Sequence, residues 1–205
     1  MPRTARYIEA NGYYHVISRS INETRIFRDR GDFLHFRKLE QDAKRKFPIQ
    51  LFHYVFMNTH FHFVLQATAQ QSLSHHLAYI KWHYTLWMRK KYGWKGPLWR
   101  ERYKSLPIEN EAYLTACGMY VEFNPVRAGL CRAPTDYPYS SARHYHLGIT
   151  DDLLDRQTLA ATPESSIPVN YSSPESKSLF SHAPAIGGAV FIQYHRGKRN
   201  ACPKK

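Results

Sequence analysis

Two apolar runs separated by a polar dipeptide, residues 51–57 and 60–66, constrain the fold of this chain more than any other feature. Both are rich in β-branched and aromatic residues, and Asn58-Thr59 between them suits a tight turn, which predicts an antiparallel hairpin. In the second run Phe61, Phe63 and Leu65 alternate with His60, His62, Val64 and Gln66. Successive strand residues point to opposite faces, so one face packs and the other carries two imidazoles.

The flanking segments extend the pattern. Residues 13–19 (Y-Y-H-V-I-S-R) are a further strand-forming run, followed by a turn at Asn22-Glu23. Phe33, Leu34, Phe36, Leu39 and Ala43 recur at helical spacing, which predicts a helix over 32–47 stopped by Pro48. Ser72 is the expected N-cap of a long helix reaching about Tyr92, ended by Gly93 and Gly96-Pro97. A fourth strand is expected over 103–109 and a last helix over 111–123, halted by Pro125. This order predicts an α+β fold, a ferredoxin-like antiparallel sheet with helices packed on one face and an additional C-terminal helix carrying Tyr120. The domain is expected over 1–145. Residues 146–205 are expected to form a C-terminal extension, Ser- and Pro-rich, partly disordered, with a basic end at Arg196, Lys198, Arg199, Lys204 and Lys205.

Composition narrows the function. The 205 residues suit one domain with an appendage. No apolar run approaches the roughly 18 to 20 residues that cross a bilayer, and the basic start lacks the apolar stretch of a secretory signal. The expectation is a cytoplasmic protein with no membrane partner. Cys117, Cys131 and Cys202 are too scattered for a C-x-x-C knuckle and odd in number, so reduced thiols are expected. Lys and Arg number 29 against 16 Asp and Glu, a net +13 that predicts a polyanionic partner. The excess is spread along the chain and accompanied by aromatic residues, which favours nucleic acid over an acidic membrane surface.

All four tryptophans, Trp82, Trp87, Trp94 and Trp99, fall in one stretch interleaved with Lys81, Arg89, Lys90, Lys91, Lys95, Arg100, Arg102 and Lys104. Such a composition suits stacking on unpaired bases with cations along the phosphates. Tyr79, Trp82 and Leu86 also stand at helical spacing, which suits core packing. Segment 94–104, with Trp94, Trp99, Arg102 and Lys104, is therefore the stronger DNA-binding candidate.

Two small constellations carry chemistry. His60 and His62, two apart on one strand, leave from the same face and could share a metal ion; two solvated surface imidazoles are the simpler reading of the pair alone. Tyr120 and Asn124, four apart on the last helix, lie on one face, where Asn124 could add an amide oxygen to the same ion. Tyr113, Cys117, Tyr120 and Val121 make an ordinary packing stripe as well. Glu122 at its spacing points elsewhere.

The blocks M-N-T-H-F-H-F-V-L (57–65) and Y-V-E-F-N-P-V-R-A-G-L (120–130) resemble the two signatures of single-tyrosine HUH transposases, and most nearly those of the REP-associated tyrosine transposases. Residues 14–19 resemble that family's Y-H-V-x-x-R strand, 102–105 its R-[FY]-K-S strand, and 137–141 its Y-P-x-S-S element. Where the family commonly has Pro and Asn before the first histidine, this chain has Asn58 and Thr59; both histidines are kept.

The resemblance implies a metal-dependent single-stranded DNA endonuclease and strand transferase. His60, His62 and Asn124 would hold a divalent ion, Mg²⁺ or Mn²⁺, which the mixed nitrogen and oxygen ligands suit. Tyr120 would form a covalent 5′-phosphotyrosine intermediate; a protonated phenol is a weak nucleophile, so the ion's help is expected. The implied partner is single-stranded DNA carrying a REP-type palindromic hairpin. Arg3, Arg6 and Arg19 are candidate DNA contacts, with Arg127 and Arg143 behind them. The implied protein is nucleoid-associated in a bacterial cytoplasm, as a monomer or homodimer. Two alternatives stay open. A non-catalytic ferredoxin-like nucleic-acid-binding module would show aromatic residues on the central strands, where this chain has His60 and His62. A relaxase or replication-initiator nuclease would share the chemistry, but the N-P-V-R-A-G block and small size favour the transposase branch.

Overall fold

The computed structural model describes residues 8–156. In chain order the elements are β1 (Tyr13–Arg19), α1 (Arg30–Lys46), β2 (Ile49–Met57), β3 (His60–Ala67), α2 (Ser72–Tyr92), β4 (Lys104–Ile108), α3 (Glu111–Arg127) and α4 (Ala142–Leu147). Short 3-10 turns lie at Ile21–Glu23 and Pro134–Asp136. The four strands form one sheet in the order β2-β3-β1-β4, every pair antiparallel, which is the ferredoxin-like arrangement the sequence predicts.

Local chemistry sets the element ends. Asp29 and Asp32 form a reciprocal capping box at the start of α1, while Lys44, Arg45 and Lys46 crowd its last turn, where the helix dipole favours cations. The β2–β3 turn is tied down from outside. The Asn58 carbonyl accepts from the N–H groups of Ile26 and Phe27, and the Thr59 carbonyl from that of Ser20. A register shift between Leu51 and His53 leaves Phe52 as an extra residue in β2. This bulge changes the parity of the strand, so that Ile49 and Leu51 join Tyr54 and Phe56 in one core.

That core lies between one sheet face and the α1/α2 layer. Val16, Phe61, Phe63 and Leu65 meet Phe36 and Ala43 of α1 and Leu77, Ile80, Tyr84 and Met88 of α2, all buried. Each fully buried Phe or Leu side chain contributes about 1.5–3 kcal/mol. Helix α3 takes the opposite face. Its Gly118 sits against the His53 ring and its Tyr120 against the rings of His15 and His62. The face carrying the imidazoles is thereby covered.

Several local expectations are corrected. Gln71 occupies the cap position of α2. Ser72 instead donates its hydroxyl to the Ala69 carbonyl at 2.8 Å, closing the turn that enters the helix. Pro125 lies inside α3, which runs on to Arg127. A proline disfavours helical backbone at the preceding residue; that residue, Asn124, donates its side-chain amide to the Tyr120 carbonyl at 2.9 Å. On α2, Trp82 and Leu86 are exposed at 62% and 40%, so that stripe is not the core one.

The chain remains packed beyond residue 145. Asp151 accepts from Arg37 at 2.6 Å and from the Tyr54 hydroxyl at 2.7 Å, Leu153 is buried, and Asp155 exchanges hydrogen bonds with the Leu51 backbone. Arg3, Arg6, Cys202 and the Ser- and Pro-rich segment with its basic end lie outside the described residues. Among the described residues, no helix is long and apolar enough to cross a membrane.

Candidate active site

Strand β3 runs between β2 and β1, with His60 opposite Met57 and Arg19, and His62 opposite Val55 and Ile17. This central place, roofed by α3, removes both imidazoles from water. His60 is 5% exposed and His62 not at all, which rules out a solvated surface pair. Burial pushes the His60 imidazole down to about 3, with Arg19 adding to the shift. His62 is likewise held well below its ordinary value by burial, and then by the nearby His60, His15, Arg19 and Arg127. Both rings are neutral at physiological pH, the form that ligates metals.

Their nitrogens are differentiated. His60 Nδ1 lies 3.0 Å from the Thr59 hydroxyl, and His62 Nδ1 lies 3.0 Å from Nε2 of His15 on β1. His62 Nε2 is buried with no hydrogen-bond partner. Tyr120 stands edge-on to this group, its ring centroid 6.0 Å from that of His62 and 5.8 Å from that of His15. The Arg127 guanidinium covers the Tyr120 ring at 4.8 Å. Asn124 follows one turn later on the same helix face. Because its amide nitrogen is committed to the Tyr120 carbonyl, its oxygen is the atom left for a cation. Among the described residues, no cluster of three or more His, Cys, Asp and Glu side chains could hold a metal, so two histidines would need a donor of another kind.

The DNA candidates separate into distinct places. Arg19 and Arg127 flank the histidines and Tyr120. Trp99 is a packing bolt. Its indole N–H donates to the Lys81 carbonyl and the Thr85 hydroxyl, each at 3.1 Å, and its ring meets Phe61 at 5.9 Å. Trp94 is half-buried against the core. Arg102 is exposed beside a groove of about 220 Å³ that Ser74, Leu77, Ala78, Lys81 and Tyr103 also line. Lys104 is exposed, 3.9 Å from Glu101, and Arg143 is exposed on α4.

Two neighbours of the histidine pair, His15 and Thr59, were not singled out by the sequence, whereas Glu122 points away from Tyr120 as its spacing predicts. His15 was legible only as part of a strand motif, and Thr59 only as a departure at the turn. Glu122 is a buried hub: His53 Nδ1 and His146 Nε2 each donate to it at 2.8 Å, and the Ser141 hydroxyl at 3.0 Å. Those donors hold its carboxyl down to about 2 against the opposing effect of burial.

Fold and site together define a class of protein in which an antiparallel sheet sets a buried pair of histidines against the tyrosine of a following helix. Residues 9–124 match the IS200-like transposases, and the chain belongs to that family. Among solved structures it is similar to a REP-associated tyrosine transposase bound to a REP hairpin, with a TM-score of 0.61 and 19% identity over 80% of this chain and 100% of that one. A protein from Deinococcus radiodurans R1 described as a transposase matches at a TM-score of 0.41 and 19% identity, over 60% of this chain and 96% of that one. No curated protein matches the chain.

Proposed function

We propose that this chain is a metal-dependent strand transferase of single-stranded hairpin DNA that links one strand end covalently to Tyr120. One observation carries the reading: Tyr120 stands against His62 and His15, beside a buried His62 Nε2 that has no protein partner. An unpartnered buried nitrogen is costly, and coordination to a cation relieves that cost. Two neutral imidazoles and the Asn124 oxygen fit Mn²⁺ or Mg²⁺ with positions left open. When bound, the ion would polarise the scissile phosphate and offset its developing charge.

The chain's own groups supply the remaining chemistry. The Tyr120 phenol gives up its proton and its oxygen bonds to phosphorus as the bond from phosphorus to the 3′ oxygen breaks. That oxygen takes up a proton and leaves as a 3′-hydroxyl. The product is a 5′-phosphotyrosine, which stores the phosphodiester for rejoining where hydrolysis would discard it. Arg127 over Tyr120 and Arg19 beside His60 bring positive potential to the path of the DNA backbone. A hairpin substrate accords with the REP hairpin held by the structurally similar transposase and with the net +13 charge. A purely binding sheet of the RNA-recognition type would expose the face that α3 covers here.

The full-length protein, incubated with a single-stranded hairpin oligonucleotide and Mn²⁺ or Mg²⁺, should yield a denaturant-resistant protein–DNA adduct. Tyr120→Phe should abolish the adduct while retaining hairpin binding; His60→Ala and His62→Ala should lose cleavage. Equal adduct from Tyr120→Phe overturns the mechanism.

A further inference from the structure

His15 lies on β1, two residues from the position directly opposite His62, and its ring stacks on that of His62 with centroids 5.2 Å apart. Both rings are fully buried, and one hydrogen bond of 3.0 Å joins His15 Nε2 to His62 Nδ1. A single proton occupies that bond, and its location decides what His62 can do. If it belongs to His15, then His62 accepts at Nδ1 and carries its own proton on Nε2, where no ion can bind. If it belongs to His62, then Nε2 presents a lone pair, and His15 carries its remaining proton on Nδ1; since His15 Nδ1 and His62 Nε2 are both buried without a hydrogen-bond partner, either assignment leaves one N–H unpartnered, and only this one leaves His62 Nε2 open to an ion.

His60 is arranged in the same sense, with Nδ1 engaged by the Thr59 hydroxyl at 3.0 Å, an oxygen that can accept a proton as well as donate one. Both ligand candidates thus have Nδ1 held from behind. A histidine that ligates a metal commonly donates its other N–H to an outer partner, which fixes tautomer and ring orientation. The usual partner is a carboxylate, a carbonyl or water; for His62 it is a second imidazole.

We infer that His15 is a positioning residue that accepts the Nδ1 proton of His62 and so holds Nε2 as the metal-ligating nitrogen. The inference rests on the metal reading proposed above. It separates hydrogen bonding from packing, because two substitutions divide these roles. His15→Phe keeps an aromatic ring on the strand but offers no acceptor. His15→Gln gives up the ring but places an amide oxygen near the lost Nε2.

The test is Mn²⁺ binding to the full-length protein, followed by calorimetry and by the paramagnetic resonance of free Mn²⁺, in the absence of DNA. Wild type should bind, His62→Ala should not, His15→Phe should bind roughly 10- to 100-fold more weakly, and His15→Gln should recover most of the affinity. Wild-type affinity in His15→Phe, with His62→Ala still defective, overturns the role of His15 and leaves the metal reading intact. Equal binding by wild type and His62→Ala instead overturns the metal reading itself. A second measurement needs no variant: nitrogen-15 spectra of the Mg²⁺-loaded wild type should show His62 protonated at Nδ1, and a proton on Nε2 would refute the inference even if both His15 variants failed to fold.

Discussion

Gly118→Ala should destabilise this protein, although in a free helix the same change is stabilising. An alanine Cβ built at this position lies 2.5 Å from His53 Nε2, 2.7 Å from Cε1 and 2.8 Å from Cδ2. The ring has little freedom to retreat, since its Nδ1 donates to Glu122 at 2.8 Å and its other face lies on Tyr145 at 4.5 Å. Helix propensity alone favours alanine by about 1 kcal/mol. Overpacking costs about 1–3 kcal/mol, and displacing His53 weakens a hydrogen bond to a buried carboxylate worth about 1.5–3 kcal/mol. The balance is a loss of about 2 kcal/mol. At a slope near 2 kcal/mol per molar urea, this lowers the unfolding midpoint by roughly 1 M. The same substitution made in a His53→Ala background meets no ring, so there it should stabilise by about 1 kcal/mol, a reversal that a double-mutant cycle reads directly. A midpoint that rises in the wild-type background would refute the claim that His53 is wedged between α3 and the sheet.

Two further outcomes follow from burial. Lowering the pH of the metal-free protein from 6.5 to about 4.5 should reduce its melting temperature, because burial holds His15 down to about 4 and His60 to about 3, and lowers His62 as well, from an ordinary value of 6.5. The unfolded chain then takes up protons the folded chain refuses, so stability is full above 6.5 and falls with pH, by at most about 1.4 kcal/mol per pH unit for each imidazole. Glu122, held down to about 2 from 4.5, adds its own loss only at more acid pH; a melting temperature flat between pH 7 and pH 5 would contradict the burial of the three rings. The tryptophans should divide by role: Trp99→Ala should cost about 2 kcal/mol or more in urea unfolding, whereas Trp82→Ser, at a 62% exposed site, should stay within about 0.5 kcal/mol. Equal effects would refute the assignment of Trp99 to packing.

The element order was legible because period-2 and period-3.6 patterns alternate cleanly from Tyr13 to Tyr120. Periodicity is silent where a helix is apolar on more than one side. On α2 the stripe through Leu73, Leu77, Ile80, Tyr84 and Met88 is buried, while Trp82 and Leu86, an equally regular pair, face outward. Nothing in spacing alone chooses between such stripes; the sheet does. The site was half legible for a related reason. His60 with His62, and Tyr120 with Asn124, are near neighbours whose shared face follows from local geometry. The partnership of His15 with His62 spans 47 residues and depends on β1 pairing with β3, which no local pattern encodes. The covering of the imidazole face was hidden too, because the sequence placed helices on one face of the sheet without assigning α3 to the other.

On the mechanism proposed above, the hidden part is what would aim the tyrosine. At about 100° per residue, Cys117 and Val121 of α3 point down at the sheet, with Tyr120 and Asn124 on one shoulder of the helix and Gly118 and Glu122 on the other. The second shoulder is bolted. Glu122 takes hydrogen bonds from His53 of β2 and from Ser141 and His146 at either end of α4. The Y-P-Y-S-S segment that leads into α4 is itself laid along β2, with the Tyr137 hydroxyl on the Phe56 carbonyl at 2.7 Å, Phe56 N–H on the Tyr139 carbonyl at 2.9 Å and Ser141 N–H on the Tyr54 carbonyl at 3.0 Å. A roll of α3 by about 10°, at a side-chain radius of roughly 6 Å, would carry the edge of the helix through about 1 Å, and a misplacement of about 1 Å can cost a reaction about 100-fold. Among the described residues, the Tyr120 shoulder is held by ring contacts with His15 and His62 and by Arg127. On the mechanism proposed above, its aim would therefore be set from the far side of the helix, through Glu122 and the segment 137–141 laid along β2.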